Sequence, residues 1–342
     1  MHKWIISVIL YQINNTSYMY HVSIIVPIFN VAECVTDSIL SALNQTYENI
    51  EFIFVDDCST DSSMDVVQKI VDSHWRKNDV FIYKMDKNSG VSMTRNSGIS
   101  KATGEFIFFM DSDDKLSSNC IQLHYEAAIK YNADFTVSGH KIIGSRTVHK
   151  ASSEFLQKKN VGIVQSYLKK EWSFTSCNKL IKRTIVIDNE LFFPPDIIRA
   201  EDILWTFRLA LCAKNMVSLP ETTYFYIIRD NSAISSSYGE SNISSFTYVL
   251  EQISLMISKS KIYDKIFKEA NSFITFHRFN VALFIINNSD TISKKKIMYN
   301  RLNTREFYVF TDYGVMSKLL RLPFPIFNYL LYLPYNLYKR VQ

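Results

Sequence analysis

Glycine is scarce in this sequence, with 8 residues in 342, and proline scarcer still, with 7. Globular chains average about 7% glycine and 5% proline, so a collagenous or Pro/Gly-rich low-complexity chain is excluded. Three of the eight glycines, Gly90, Gly98 and Gly104, fall within fifteen residues. Scarce glycine gathered in one place marks a special backbone there. Cysteine is sparse as well: Cys34, Cys58, Cys120, Cys177 and Cys212 are odd in number, widely spaced and never in a CxxC pair. A disulfide scaffold or structural zinc site is excluded, and reduced thiols in a cytosolic protein are expected. The seven histidines show no metal-ligand spacing. An excess of one charge is also missing, since 38 Lys+Arg against 33 Asp+Glu leave only +5. That is too mild to indicate a nucleic-acid partner.

Long hydrophobic runs are absent near the N-terminus. The stretch from Trp4 to Tyr11 is eight residues long, whereas a bilayer span needs about 20. No small-residue cleavage site follows it, so residues 1–20 read as an appendage. At the other end, residues 315–342 contain no acid, and 322–338 are seventeen uncharged residues. Pro323, Pro325 and Pro334 would break a spanning helix, and Asn328 and Asn336 are costly in hydrocarbon. The Phe, Tyr and Leu side chains there, flanked by Lys318, Arg321, Lys339 and Arg340, suit the surface of an anionic membrane. The competing expectation is a tail that packs back on the core.

What is present is globular: 47% hydrophobic and 21% charged residues, enough to exclude disorder. The length corresponds to about two domains. Apolar strand-length runs at 22–29, 52–57, 80–85, 104–111 and 133–139 alternate with helical spacing at 30–43, 61–75, 91–102 and 117–131. Such alternation predicts parallel βαβ units, and the continuous apolar strands predict a sheet covered on both faces. Residues 178–187 hold a short element, 201–212 a helix, 216–228 strands around Pro220, and 241–290 helices.

Two acidic clusters stand at the C-terminal ends of predicted strands, where open α/β sheets bind ligands. Asp56-Asp57 closes the second strand and is placed to accept hydrogen bonds from a base N–H or ribose hydroxyls. Asp61 reads as a cap of the following helix. Asp111-Ser112-Asp113 closes the fourth. Its hard oxygens suit Mg²⁺ or Mn²⁺, which bind through one or two carboxylates plus substrate phosphates; a solvated loop with a cap from Asp114 is the plain alternative. Glu201-Asp202 opens an apolar-faced helix, where acids are also favoured by the helix dipole.

The order of these segments is more specific than any one of them. Pro27-Ile28-Phe29-Asn30, then Asp56-Asp57-x-Ser59-x-Asp61, Thr94-Arg95-Asn96-Ser97-Gly98, Asp111-x-Asp113-Asp114 and Ala200-Glu201-Asp202 resemble the inverting nucleotide-sugar glycosyltransferases of family two. The resemblance covers about residues 21–235. It implies an α/β GT-A fold, a Rossmann-like, mostly parallel sheet flanked by helices. The nucleotide-binding half would span 21–139 and the acceptor half 140–235, followed by a mostly helical extension over 236–342. It implies that Asp57, Pro27, Phe29 and Asn30 line the pocket of the donor base. Arg95 and Ser112 would lie near the nucleotide, Asp111 on the ribose or metal, and Asp113 on a Mn²⁺ or Mg²⁺ ion. Asp202, paired with Glu201, would be the general base. Asn178-Lys179 and Arg229 resemble family segments near the diphosphate. Phe29 stands where the family usually has Tyr, Thr94 where Ala is frequent, and Ala200 where Gly is frequent.

The expected activity is transfer of a sugar from a nucleotide donor, UDP foremost, to a glycan or lipid-linked acceptor in surface-polysaccharide synthesis. The expected place is the cytoplasm, peripheral on the inner face of the membrane. A catalytically inactive, membrane-peripheral nucleotide-sugar-binding relative is the alternative. A dinucleotide-dependent dehydrogenase would need GxGxxG after the first strand, and PIFNVAECV (27–35) has no glycine.

Overall fold

The computed structural model describes residues 19–144, 148–150, 155–197, 199–228, 240–288 and 292–302, with short pieces between 319 and 326. Residues 1–18 of the expected appendage, Arg229 and most of 315–342 therefore lie outside the described residues.

The N-terminal half follows the alternation. Strands β1 (Val22–Ile28), β2 (Ile50–Asp56), β3 (Val80–Lys84) and β4 (Phe106–Phe109) are mutually parallel in the order β3-β2-β1-β4. Every residue of β1 and β2 is buried, as continuous apolar strands require when helices cover both faces. Helices α1 (Val35–Leu43), α2 (Ser63–Ser73) and α3 (Gly90–Lys101) make the crossovers. Helix α1 starts five residues later than its apolar spacing predicts. The reason is local: Asn30 has φ +49°, and the backbone N–H groups of Val31 and Ala32 donate to Ser63 and Asp61 rather than into a helix.

Beyond β4 the sheet becomes mixed. The chain runs through β5 (Lys115–Leu116), α4 (Cys120–Tyr131), β6 (Phe135–Ile143), β7 (Val148–Lys150), β8 (Leu156–Lys159), α5 (Val161–Leu168) and β9 (Lys179–Lys182). Then come α6 (Arg183–Asp188), α7 (Glu201–Cys212), β10 (Asn215–Ile227), α8 (Glu240–Ser258), α9 (Tyr263–Asn288) and α10 (Ile292–Arg301). The full order is β3-β2-β1-β4-β9-β6-β10-β5, with β7 on β6 and β8 on β10. Strand β9 is antiparallel to both β4 and β6, so it joins the two halves. The strands expected on either side of Pro220 are one strand, whose register shifts between Ser218 and Thr222. Proline lacks the N–H that a regular ladder needs, so it sits at the irregularity.

Two of the clustered glycines are close approaches of backbone to β1. Gly98 of α3 lies against Ile25, and a Cβ on Gly104 would sit 2.8 Å from the Ser23 nitrogen and 2.9 Å from the Val22 carbonyl carbon. Gly90 has φ +82° at the start of α3, a conformation open to glycine. Helices α8 to α10 share one continuous core with the sheet through Val249, Ile253, Ile266, Phe273 and Tyr299. The described start of the tail packs back on this core. Leu320 is buried, and the Tyr299 hydroxyl lies 2.9 Å from the carbonyls of both Leu320 and Leu322. Among the described residues no helix is long and apolar enough to cross a membrane.

Candidate active site

The C-terminal edges of β1, β2 and β4 meet where the sequence puts its acids. Phe29, just past β1, is a 42% exposed ring, and an exposed aromatic at a sheet edge offers a stacking face. Pro27 is buried within β1 and presents no surface there. Its placement has a backbone reason. Met110 N–H donates to Ile25 O, 3.1 Å, and Pro27 is the next β1 residue facing β4. With no N–H to give, it ends that pairing and lets the β4 chain swing into the acidic turn. Asn30 is exposed, and its side chain is tied to the next loop, accepting from Thr60 N–H at 2.8 Å and donating to Thr60 Oγ1 at 3.2 Å.

The two adjacent acids divide. Asp56 accepts from Ser59 N–H, 2.8 Å, and shapes the turn. Asp57 accepts from Ser89 N–H at 2.7 Å and Gly90 N–H at 2.9 Å, the first turn of α3. A carboxylate there satisfies orphan donors and suits the helix dipole. Asp61 accepts from Ala32 and Ser63 N–H groups, 3.1 and 3.0 Å.

Helix α3 carries the hub. Arg95 is 3% exposed, and its guanidinium reaches Asp111 at 2.8 Å, Glu201 at 3.2 Å and Asp202 at 3.4 Å. It also lies over the Phe193 ring, 5.2 Å from its centroid. The neighbouring motif residues build the same junction. Asn96 makes a reciprocal pair of 2.8 Å bonds with the Phe193 backbone, and Thr94 Oγ1 donates to Gly90 O at 2.9 Å. Burial works against the Arg95 charge, yet Asp111, Asp202 and Glu201 hold the guanidinium protonated far beyond its usual range. Its charge is thus committed to carboxylates drawn from two elements far apart in sequence. Burial, and then the neighbouring Asp202, push Glu201 up to about 7. Asp202 is the more accessible of the pair, with side-chain exposure of 24% against 11%.

The acidic turn after β4 is braced from behind. Asp114, buried, accepts from the Tyr224 hydroxyl at 2.7 Å and from Ile227 N–H at 3.0 Å. The same hydroxyl accepts from Asp111 N–H, 3.2 Å. Burial, and then Asp111, push Asp114 up to about 7. Asp114 is therefore not a helix cap. With Tyr224 it fixes the turn to β10, leaving Asp111 and Asp113 partly exposed and Ser112 buried. Sequence patterning could not find Tyr224, because a tyrosine in an apolar strand looks like core. Lys179 differs from expectation. It is fully buried, and its ammonium donates to Thr175 O at 2.6 Å and Asn178 Oδ1 at 3.0 Å, so it faces inward and not toward a diphosphate. Burial pushes it down to about 7.

Ala200 begins α7 with φ +67°, which explains why glycine is frequent before the Glu-Asp pair. Left-handed backbone costs a residue with a Cβ roughly 1–2 kcal/mol, part of which glycine's extra unfolded-state freedom offsets. Ala200→Gly is expected to stabilise the protein by about 0.5–1 kcal/mol, read as a higher midpoint in denaturant; an unchanged or lower midpoint would show that the turn is not strained.

The donor set fits a hard divalent cation held largely by substrate. Among the described residues no three acids, histidines or cysteines are grouped as a metal cage, and Asp111 is engaged by Arg95. Asp113, on the same turn, is the carboxylate that would hold such an ion, with phosphates completing its shell.

A Rossmann-like sheet thus gathers paired acids around a buried arginine at its carboxyl edge. Residues 23–189 match the model of glycosyl transferase family 2, and this segment is a domain of that family. It is 32% identical over 221 residues to a poly(ribitol-phosphate) beta-glucosyltransferase of Bacillus spizizenii, covering 64% of this chain and 34% of that protein. It is 29% identical to the poly(ribitol-phosphate) beta-N-acetylglucosaminyltransferase TarP of Staphylococcus aureus, covering 72% of this chain and 74% of TarP. The chain thus spans about a third of the first relative and three quarters of the second. Its fold is that of S. aureus TarS residues 1–349 in complex with UDP-GlcNAc, with a TM-score of 0.74 over 90% of this chain and 89% of that one, at 21% identity.

Proposed function

We propose that the chain transfers a sugar from a UDP-linked donor to a hydroxyl of a surface polymer, a polyol phosphate, with inversion at the anomeric carbon. The observation that carries this is the Arg95 hub, which holds Asp111, Glu201 and Asp202 together at the sheet edge beside Asp57. The poly(ribitol-phosphate) relatives and the UDP-GlcNAc complex of TarS support the choice of donor and acceptor.

In this scheme Phe29 stacks on the base, and the remaining lone pairs of Asp57 accept its N–H. Asp202, 3.4 Å from the Arg95 guanidinium, takes the proton of the acceptor hydroxyl. The acceptor oxygen bonds to the anomeric carbon as the bond to the diphosphate breaks, and UDP leaves with that electron pair. One displacement inverts the centre. Asp113 would hold Mn²⁺ or Mg²⁺ together with the donor phosphates, supplying positive charge to the departing group.

The test is UDP binding by calorimetry with and without Mn²⁺, in the wild type and Asp113→Ala. Metal is expected to tighten binding in the wild type and to have little effect in the variant, whose fold should persist because Asp113 is a turn residue. Equal metal enhancement in both would overturn the assignment of Asp113. UDP binding without any sugar turnover would instead identify an inactive relative.

A further inference from the structure

The segment between α6 and α7 is held by side chains. Residues 190–193 form no strand, yet each of their four carbonyls accepts from a side chain of a helix. Arg208 of α7 donates to Glu190 O at 2.7 Å and to Phe192 O at 2.9 Å. Trp205 Nε1 of the same helix donates to Leu191 O at 2.8 Å. The fourth carbonyl, that of Phe193, accepts from Asn96 of α3, which in turn accepts from Phe193 N–H, both at 2.8 Å. Backbone groups away from water need partners, and here two helices supply them. The segment is therefore a strap: α7 grips its first three residues and α3 its last.

The strap carries one ring into the junction of the site. Phe193 stacks on Trp205, with centroids 4.7 Å apart and planes 1° from parallel, and meets Phe109 edge-on at 5.4 Å. Phe109 is also edge-on to Trp205, at 5.5 Å. The Arg95 guanidinium lies over the Phe193 ring, 5.2 Å from its centroid. Each partner belongs to a different part of the site. Phe109 ends β4, two residues before Asp111, Arg95 is the hub on α3, and Trp205 stands one turn after Asp202 on α7. Helix α3 is itself fixed at its start to Asp57, through the Ser89 and Gly90 N–H groups. A continuous chain of contacts thus runs from Asp57 through α3, Asn96 and Phe193 to Trp205 and the helix of Asp202. The direct link is looser, since Asp202 is the acid farthest from Arg95, at 3.4 Å.

We propose that Phe193 is a positioning residue: with its strap it sets where Asp202 stands relative to the bound donor. It acts through Arg95 and Trp205 and not on substrate, since it is only 1% exposed. A general base works only within hydrogen-bond reach of the proton it takes, and a displacement of about 1 Å costs on the order of 10²-fold in rate. Two stacked rings and a reciprocal amide pair fix distance and angle together, which a single ion pair does not. The inference rests on the transferase function proposed above and names a residue that shapes its geometry.

The experiment compares the wild type with Phe193→Leu, Asn96→Ala and the double variant. Each is assayed for UDP release from UDP-GlcNAc and UDP-glucose with a ribitol-phosphate oligomer, for UDP affinity by calorimetry, and for amide exchange by mass spectrometry. Phe193→Leu should lower kcat by roughly ten- to a hundredfold, and Asn96→Ala by less, while UDP affinity and the donor KM stay near those of the wild type. Amide exchange should quicken in residues 190–193 and the first turn of α7 and stay slow in β1 and β2. The double variant should lose little more kcat than Phe193→Leu alone, because both changes cut one strap. Asn96→Ala alters a half-buried side chain, so it reports even if Phe193→Leu fails to fold. Unchanged kcat in folded Phe193→Leu, or in Asn96→Ala where the other does not fold, overturns the inference. So does a loss of UDP affinity equal to the loss of kcat, and so do losses that multiply in the double variant. A wild type that releases no UDP sinks the transferase function instead. The exchange pattern then still decides the strap, which falls if the α7 start exchanges as in the wild type.

Discussion

Asp202→Asn should lower turnover by roughly 10²–10⁴-fold, the usual size of general-base catalysis, while leaving donor binding near that of the wild type. The substitution keeps the volume and removes the proton acceptor. Asp202 is the most distant of the three acids from Arg95, 3.4 Å against 2.8 and 3.2 Å, and the more exposed of the Glu-Asp pair. It can therefore be neutralised with the smallest loss to the hub. Glu201→Gln separates the two roles, because Glu201 is buried and held up near 7. It should reduce turnover far less. A split between kcat and KM checks the assignment: a loss of UDP affinity equal to the loss of turnover in Asp202→Asn would make Asp202 a structural residue of the helix start.

Arg95→Met should have the largest effect on the fold. Removing one partner of a buried ionic cluster costs about 3–5 kcal/mol, because the remaining charges stay buried without compensation. The pH dependence follows from the sign of that change. Burial and then Asp202 already hold Glu201 up at about 7, and Arg95 is a charge that lowers it, so without the guanidinium its folded-state pKa rises further above the unfolded one. The deficit against the wild type should then be greatest above neutral pH and shrink as pH falls toward 4, where the acids bind protons. Chemical denaturation of both proteins at pH 8 and pH 5 reads it directly. Arg95→Lys keeps a charge but cannot reach carboxylates on two elements at once, and should recover stability only in part. Wild-type stability of Arg95→Met at pH 8 would remove Arg95 from the centre of the site.

Much of the N-terminal half was legible because its signals are local. β1 and β2 are unbroken apolar runs, α7 matches its apolar spacing from Glu201 to Cys212, and the acids stand at strand ends. The roles of individual residues were less so. Pro27 reads as pocket lining but ends a strand pairing, Asp114 reads as a cap but is buried against Tyr224, and Lys179 reads as a cation near the diphosphate but is enclosed. In each case the neighbour that decides the role lies on another element. Ile25 and Met110 decide it for Pro27, β10 for Asp114, and the 175–178 loop for Lys179.

By itself the sequence determined the alternation of strands and helices, the family, and the edge of the sheet on which chemistry is placed. These depend on periodicity and on the order of motifs along the chain, both one-dimensional. Only the tertiary structure decided that β9 enters antiparallel between β4 and β6, and that Arg95 gathers acids from the ends of β4 and α7. Those arrangements join residues up to 107 positions apart. They are set by which buried faces fit together and by the need to pair every buried charge, conditions that exist only once the chain has closed on itself.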